Sequence, residues 1–270
     1  MTHSNPRLPA IYLSHGGGPW PFMDLGPQMG AAMQPLADYL RGLVGRLPQR
    51  PRAVLMVSAH WEAPQPMLMT HPRPPMLFDY TGYPPHTYQL QWPAATALDL
   101  VPQVQSLLAG AGFRVGTDPE RGWDHGTFVP MMLVLPQADI PVLQLSLLHD
   151  MDPARHLAMG AALAPLREQG VLLLGSGNSY HNMRGFGHAS STAPSQAFDE
   201  WLVQTVAMPA PQRTERLLAW AGAPGARACH PREEHLLPLH VMAGAALEDP
   251  GQASLQAFVM AVHNTCVQFG

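Results

Sequence analysis

Cysteine is nearly absent, since Cys229 and Cys266 are the chain's two and have no CxxC spacing. Two unclustered thiols exclude a disulfide framework and a multi-thiolate metal site, and they fit a reducing, cytoplasmic setting. Charge is scarce too. Charged residues make up 13% of the 270-residue chain, the formal net charge is -4 and the arginines are scattered without a basic run, so no nucleic-acid partner is expected. No stretch approaches the roughly 20 apolar residues of a membrane helix. Nor do the first residues show a basic segment followed by an apolar one, so neither a membrane span nor a secretory leader is expected.

Several catalytic signatures are missing as well. There is no His-Glu-x-x-His, which removes the zincin metalloprotease arrangement. Gly177-Asn178-Ser179-Tyr180-His181 carries histidine where a nucleophile elbow needs its final glycine, which weakens an α/β-hydrolase reading. Gly16-Gly17-Gly18 lacks the Lys-Ser/Thr of a phosphate-binding loop and reads as space beside a ligand. The turn Ser176-Gly177-Asn178 offers a backbone anion nest.

What the chain does have is 46% hydrophobic residues, 30 prolines, 24 glycines and 14 histidines. The prolines are spread among periodic segments, so they read as loop builders and not as a disordered tract. The densest proline region, residues 63–93, is long for a connection inside a compact domain and reads as a lid or site wall.

Residues 54–62, Val-Leu-Met-Val-Ser-Ala-His-Trp-Glu, form a buried apolar strand that runs into His60 at its carboxyl end. The same pattern recurs twice. An apolar strand leads to His15 and its glycines, and residues 171–174 lead through a small-residue turn to His181. A further strand is expected over 141–147, and residues 254–269 return to the sheet. Apolar stripes predict helices over 34–47, 95–109, 153–169, 195–208, 214–221 and 234–247. Asp152 caps the third of these, and Pro102 either kinks or restarts the second. Residues 117–122 read as a turn, followed by Trp123-Asp124-His125-Gly126-Thr127 and an apolar segment over 131–135. The alternation predicts one α/β domain over 1–270, with a central mostly parallel or mixed sheet flanked by helices and a site at the strand carboxyl ends.

An isolated histidine is usually a surface or hydrogen-bonded structural group. His3, His71, His86, His149, His156, His188, His230, His240 and His263 stay in that class. His15, His60, His125, His181 and His235 each sit beside small or acidic neighbours at a loop edge, and together they favour a metal site of imidazoles.

Taken in order, Ser14-His15-Gly16-Gly17-Gly18-Pro19, Ser58-Ala59-His60-Trp61, Tyr80-x-Gly82-Tyr83-Pro84, Gly122-x-Asp124-His125-Gly126-Thr127, Gly175-Ser176-Gly177-x3-His181-Asn182 and Glu234-His235-Leu236-Leu237-Pro238-Leu239 resemble one family. It is the class III extradiol ring-cleavage dioxygenases, in the 4,5-DOPA extradiol dioxygenase-like branch of the LigB superfamily. The resemblance implies a non-haem Fe(II) enzyme that opens a catechol ring with O2 to a semialdehyde. It implies metal ligation by His15, His60 and the Glu234-His235 pair, with His235 favoured and Glu234 the alternative. It also implies His181 as acid/base or fourth ligand, and His125 on the substrate side; the neighbouring Asp124 is the candidate to orient His125.

Three open positions on such a centre suit a catecholate and dioxygen together, and a neutral imidazole suits the proton that catechol must lose. Zn(II) would occupy the same imidazoles. A zinc hydrolase and a non-enzymatic metal- or ligand-binding protein on the same fold are therefore the alternatives. Trp20, Phe22, Tyr80, Tyr83 and Trp123 are candidates for an aromatic pocket wall, and Arg184 or Arg232 for reading a substrate carboxylate.

Overall fold

The computed structural model describes residues 6–270; the structural reading of His3 concerns a residue outside that range. Among the described residues there are sixteen α-helices and strands, alternating in most of the chain up to β6. They are β1 (Ala10–Ser14), α1 (Gly26–Arg41), β2 (Ala53–Ala63), β3 (Met67–Met69), α2 (Val101–Gly110), β4 (Gly116–Asp118), α3 (His125–Val134), β5 (Val142–Leu148), α4 (Pro153–Leu163), β6 (Val171–Gly177), α5 (Thr192–Val206), α6 (Ala210–Leu218), α7 (Ala226–Cys229), α8 (Leu237–Ala246), β7 (Gly251–Val259) and β8 (Val262–Phe269).

The strands form one eight-stranded sheet in the order β4-β3-β5-β2-β6-β1-β8-β7. Its four central strands, β5, β2, β6 and β1, are mutually parallel. β8 runs antiparallel to β1, and β7 antiparallel to β8. The sheet is therefore mixed, with a parallel centre buried on both faces, and this accounts for the continuous apolar runs of its strands. Alternate residues enter opposite cores. Ala10, Tyr12, Leu55, Val57 and Leu173 join α2, α4 and α8 on one face. Ile11, Leu13, Val54, Met56, Leu172 and Leu174 join α1 and α3 on the other.

Element boundaries moved wherever proline or a cap set them. α1 begins with Pro27 in its first turn, eight positions before the expected start at 34, and ends at Arg41 in place of 47. Pro102 lies in the first turn of α2 and starts that helix without kinking it. α4 stops at Leu163 because Pro165 cannot continue it, and a 3-10 segment runs on to Gln169. The expected turn at 117–122 contains edge strand β4. The lead-in to residues 131–135 is already helical, because Asp124 caps α3 by accepting from the Thr127 amide. α8 begins at Leu237, so Glu234 and His235 lie in the turn before it and not on its surface.

Candidate metal centre

The sheet order places β2, β6 and β1 side by side, so the strands that carry His60, lead to His181 and lead to His15 are neighbours. His15 follows β1, with its amide bonded to the Gly177 carbonyl at the end of β6. His60 is not at the end of its strand. β2 continues to Ala63, but its pairing with β5 slips between Val57 and Glu62. The irregularity spans Ser58 to Trp61 and turns His60 toward the site, as bulges near sites do. Ser58 Oγ pins this stretch by donating to Asp124 Oδ1 at 2.7 Å and accepting from the His60 amide at 3.2 Å.

Three imidazoles converge through Nε2. His60 Nε2 lies 3.2 Å from His15 Nε2 and 3.2 Å from His235 Nε2. Each ring is anchored through Nδ1. His15 meets Ser176 Oγ at 3.0 Å, His60 faces Asp79 Oδ2 at 3.4 Å, and His235 meets Glu234 Oε1 at 3.0 Å. Ser176 Oγ–H is itself committed to the Gly126 carbonyl, so it accepts from His15 Nδ1–H.

Two further imidazoles are held the same way by the same carboxylates. His125 Nδ1 lies 2.8 Å from Asp79 Oδ1, which also accepts from the His125 amide at 2.9 Å. His181 Nδ1 lies 3.0 Å from Glu234 Oε1, and the His181 ring stacks on His235 with centroids 3.2 Å apart.

Burial pushes the converging rings toward the neutral form, with repulsion from the neighbouring imidazoles adding to it. His15 and His235 fall well below the ordinary histidine value, and His60 falls to about 4. Burial opposes ionisation of Asp79 and Glu234, yet both stay below the usual carboxylate range. At Asp79 the hydrogen bonds from His125 and the charge attraction of His125 and His60 together outweigh the burial, and at Glu234 the hydrogen bonds from His181 and the backbone together with the attraction of His181 and Arg232 do so.

His15 and His235, hydrogen-bonded at Nδ1, carry their lone pairs on Nε2, each 3.2 Å from His60 Nε2, and facing lone pairs at that distance repel unless a proton or cation lies between them. The donor set therefore fits a divalent transition metal that prefers imidazole. His15, His60 and His235 form one group of closely spaced metal-binding atoms. His60, Asp79 and His125 form a second, and His181, Glu234 and His235 a third.

The centre opens into a cavity of about 690 Å³ lined by His15, His60, His125, His181 and His235. Trp20, Tyr80 and Tyr83 also line it, as expected of them; Phe22 and Trp123 do not. Trp123 is fully buried against Trp92. Arg184 and Arg232 do not line the cavity but an adjoining surface pocket that shares His181 and Met183 with it, and Arg232 is paired with Glu62. Asp124 does not orient the His125 ring; its carboxylate is bound by Ser58, Arg121, Gln144 and the Thr127 amide. The expected anion nest is filled, because the Asn178 amide donates to the His235 carbonyl and a Cβ on Gly177 would lie 2.1 Å from that oxygen.

Sequence reasoning missed Asp79, whose one local signal is an acid just before Tyr80-x-Gly82-Tyr83-Pro84 inside the proline-rich wall. Among histidines read as structural, His156, His230 and His240 are buried and bonded to backbone carbonyls.

The family described as the catalytic LigB subunit of aromatic ring-opening dioxygenase matches residues 9–266. A protein of Hapsidospora irregularis named dioxygenase tasH is 37% identical over 264 residues, covering 89% of this chain and 79% of its own. The 4,5-DOPA dioxygenase extradiol of Beta vulgaris is 41% identical over 204 residues, covering 74% and 75%. The crystal structure of an uncharacterized protein from Escherichia coli K12 superposes with a TM-score of 0.80 at 28% identity, covering 98% of this chain and all of the other. Membership of an enzyme family sets aside the hydrolase and binding-protein alternatives. With a match that spans β1 to β8 and a fold shared from end to end, the chain belongs to the LigB family, in its 4,5-DOPA extradiol dioxygenase-like branch, and is an aromatic ring-opening dioxygenase.

Proposed function

We propose that the protein is a non-haem Fe(II)-dependent extradiol dioxygenase that opens a catechol-type ring with O2 to a semialdehyde. The observation that carries this reading is the convergence of three neutral, Nδ1-anchored imidazoles at one end of a largely apolar cavity. His15, His60 and His235 would hold the metal. Glu234 is spent on two imidazole Nδ1 atoms, which favours His235 over Glu234 as the third ligand. Bound there, iron(II) supplies the electron exchange with dioxygen that side chains lack; zinc fits the same donors without supplying it.

The remaining roles belong to the chain itself. Glu234 accepts from His181 Nδ1–H, so His181 Nε2 is the free base and takes a catechol hydroxyl proton on the cavity side. Asp79 fixes His125 in the same tautomer, and His125 Nε2 is the group placed to hydrogen-bond oxygen on the substrate side. The apolar wall excludes water from the opening ring.

Anaerobic loading with Fe(II), followed by a catechol panel with an oxygen electrode, tests the reading. Iron-dependent uptake with a yellow ring-opened product is expected, and zinc-loaded protein should consume none. No uptake with any catechol would reject the reading. Separately, His60→Ala should abolish metal retention, whereas His181→Ala should cut turnover far more than metal content. Equal metal loss in both would make His181 a fourth ligand.

A further inference from the structure

The cavity is too large and too uncharged for a small polar catechol. Its roughly 690 Å³ lies within the range that encloses drug-sized ligands and is more than a bare catechol ring fills. Among its lining residues there is no aspartate, glutamate, lysine or arginine. The chain has no lysine at all, and its 15 cationic residues are arginines, none of which lines this cavity. On the sides formed by α1 and β7 the wall is apolar. Met29, Met33 and Leu36 come from α1, and Leu255, Ala257 and Val259 from β7. These residues belong to or pack against the core on that face of the sheet.

Met183 and Met260 also line the cavity and are 70% and 44% exposed, which places them at its mouth. The Gly187 amide donates to the Met260 carbonyl at 2.7 Å and ties the two sides of that mouth together. Flexible thioethers suit an apolar substituent of variable shape. The polar exception on the β8 side is Asn264, whose Oδ1 is buried without a hydrogen-bond partner and can accept from a donor but offers nothing to a carboxylate.

We infer that the preferred substrate is a catechol bearing an uncharged alkyl or aryl substituent, seated between α1 and β7, and not a catechol with an amino-acid or carboxylate side chain. This rests on the catechol-dioxygenase reading above. A buried carboxylate or ammonium without a partner is strongly disfavoured, whereas each buried methylene is favourable.

The test compares 4-methylcatechol, 4-butylcatechol, L-DOPA and 3,4-dihydroxyphenylacetate on the Fe(II)-loaded enzyme. At full burial each methylene raises kcat/KM about fourfold. 4-Butylcatechol should therefore exceed 4-methylcatechol, and should exceed both charged catechols, by at least about tenfold. Equal or better turnover of L-DOPA or dihydroxyphenylacetate overturns the inference, while leaving the dioxygenase assignment intact. Absence of turnover with all four rejects the dioxygenase assignment instead.

Calorimetric titration of Zn(II)-loaded protein then still reads the pocket. 4-Butylcatechol should bind tightest with a negative heat-capacity change, and equal affinities overturn the inference. Met29→Arg should move the butyl-to-carboxylate selectivity at least about tenfold toward dihydroxyphenylacetate. Met33→Ala should shift the optimum to longer alkyl chains. If both variants fold by circular dichroism and neither ratio moves, the substituent does not lie against α1.

Discussion

Glu234 hydrogen-bonds two imidazoles, His235 on the converging side and His181 facing the cavity, and Asp79 hydrogen-bonds His125 while its other oxygen faces His60 Nδ1 at 3.4 Å. A carboxylate in this position fixes the tautomer of both rings and makes the converging nitrogen a better donor. Asp79→Ala should lower metal affinity or turnover about 10- to 100-fold, measured by Fe(II) titration and kcat. Asp79→Asn keeps an acceptor for the His125 amide and ring, so it should recover part of the loss. Equal losses in the two variants would mean that the charge, not the hydrogen bond, does the work. At this scale the histidines were readable and their partners were not. His15, His60 and His181 each follow an apolar run through a short stretch that holds serine, glycine or alanine, a local pattern. Asp79 reaches His125 across 46 positions and Ser176 reaches His15 across 161, and no local pattern encodes such pairs.

The central strands were readable because burial on both faces leaves an unbroken apolar run. β3 and β4 were not, since three residues are too short a run to stand out from a loop, and edge strand β4, Gly116–Asp118, has no large apolar side chain. α3 hid its first turns behind Gly126 and Pro130, and its capping aspartate was the signal that locates it. Contact between α4 and α8 was also invisible, because it depends on glycines facing backbone. A Cβ on Gly160 would lie 1.9 Å from the Val241 carbonyl, and one on Gly244 would lie 2.0 Å from the Leu157 carbonyl. Neither helix can retreat without opening the core beneath the sheet. Gly160→Ala should therefore destabilise the protein by about 1–3 kcal/mol, the usual range for overpacking, seen as a lower urea midpoint with an unchanged slope. A change below a few tenths would show that the two helices are free to move apart.

For the molecule as a whole, the outcome follows from burying so many imidazoles in their neutral form. Beyond the metal centre, Leu148 N–H donates to His156 Nε2 at 3.1 Å, and His156 Nδ1 faces the Asp152 carbonyl at 2.7 Å. That pair of bonds fits only the neutral ring, because a second proton would set two donors against each other. Burial lowers His156 to about 4. It lowers His230 to about 4 as well, where Nδ1 is buried without a partner. His15, His60, His235 and His240 shift in the same direction. Since the folded values lie below the unfolded one of about 6.5, the unfolded chain binds more protons between them. Stability is then complete above pH 6.5 and is lost as pH falls toward 4. At pH 5 the loss is about 2 kcal/mol each for His156 and His230. Urea unfolding of metal-free protein at pH 7.5 and pH 5.0 should show this drop. His156→Gln, whatever it does to stability at pH 7.5, should shrink the difference between the two pH values by about 2 kcal/mol. An unchanged difference would mean that His156 already carries its proton in the folded state, against the bond it accepts from Leu148.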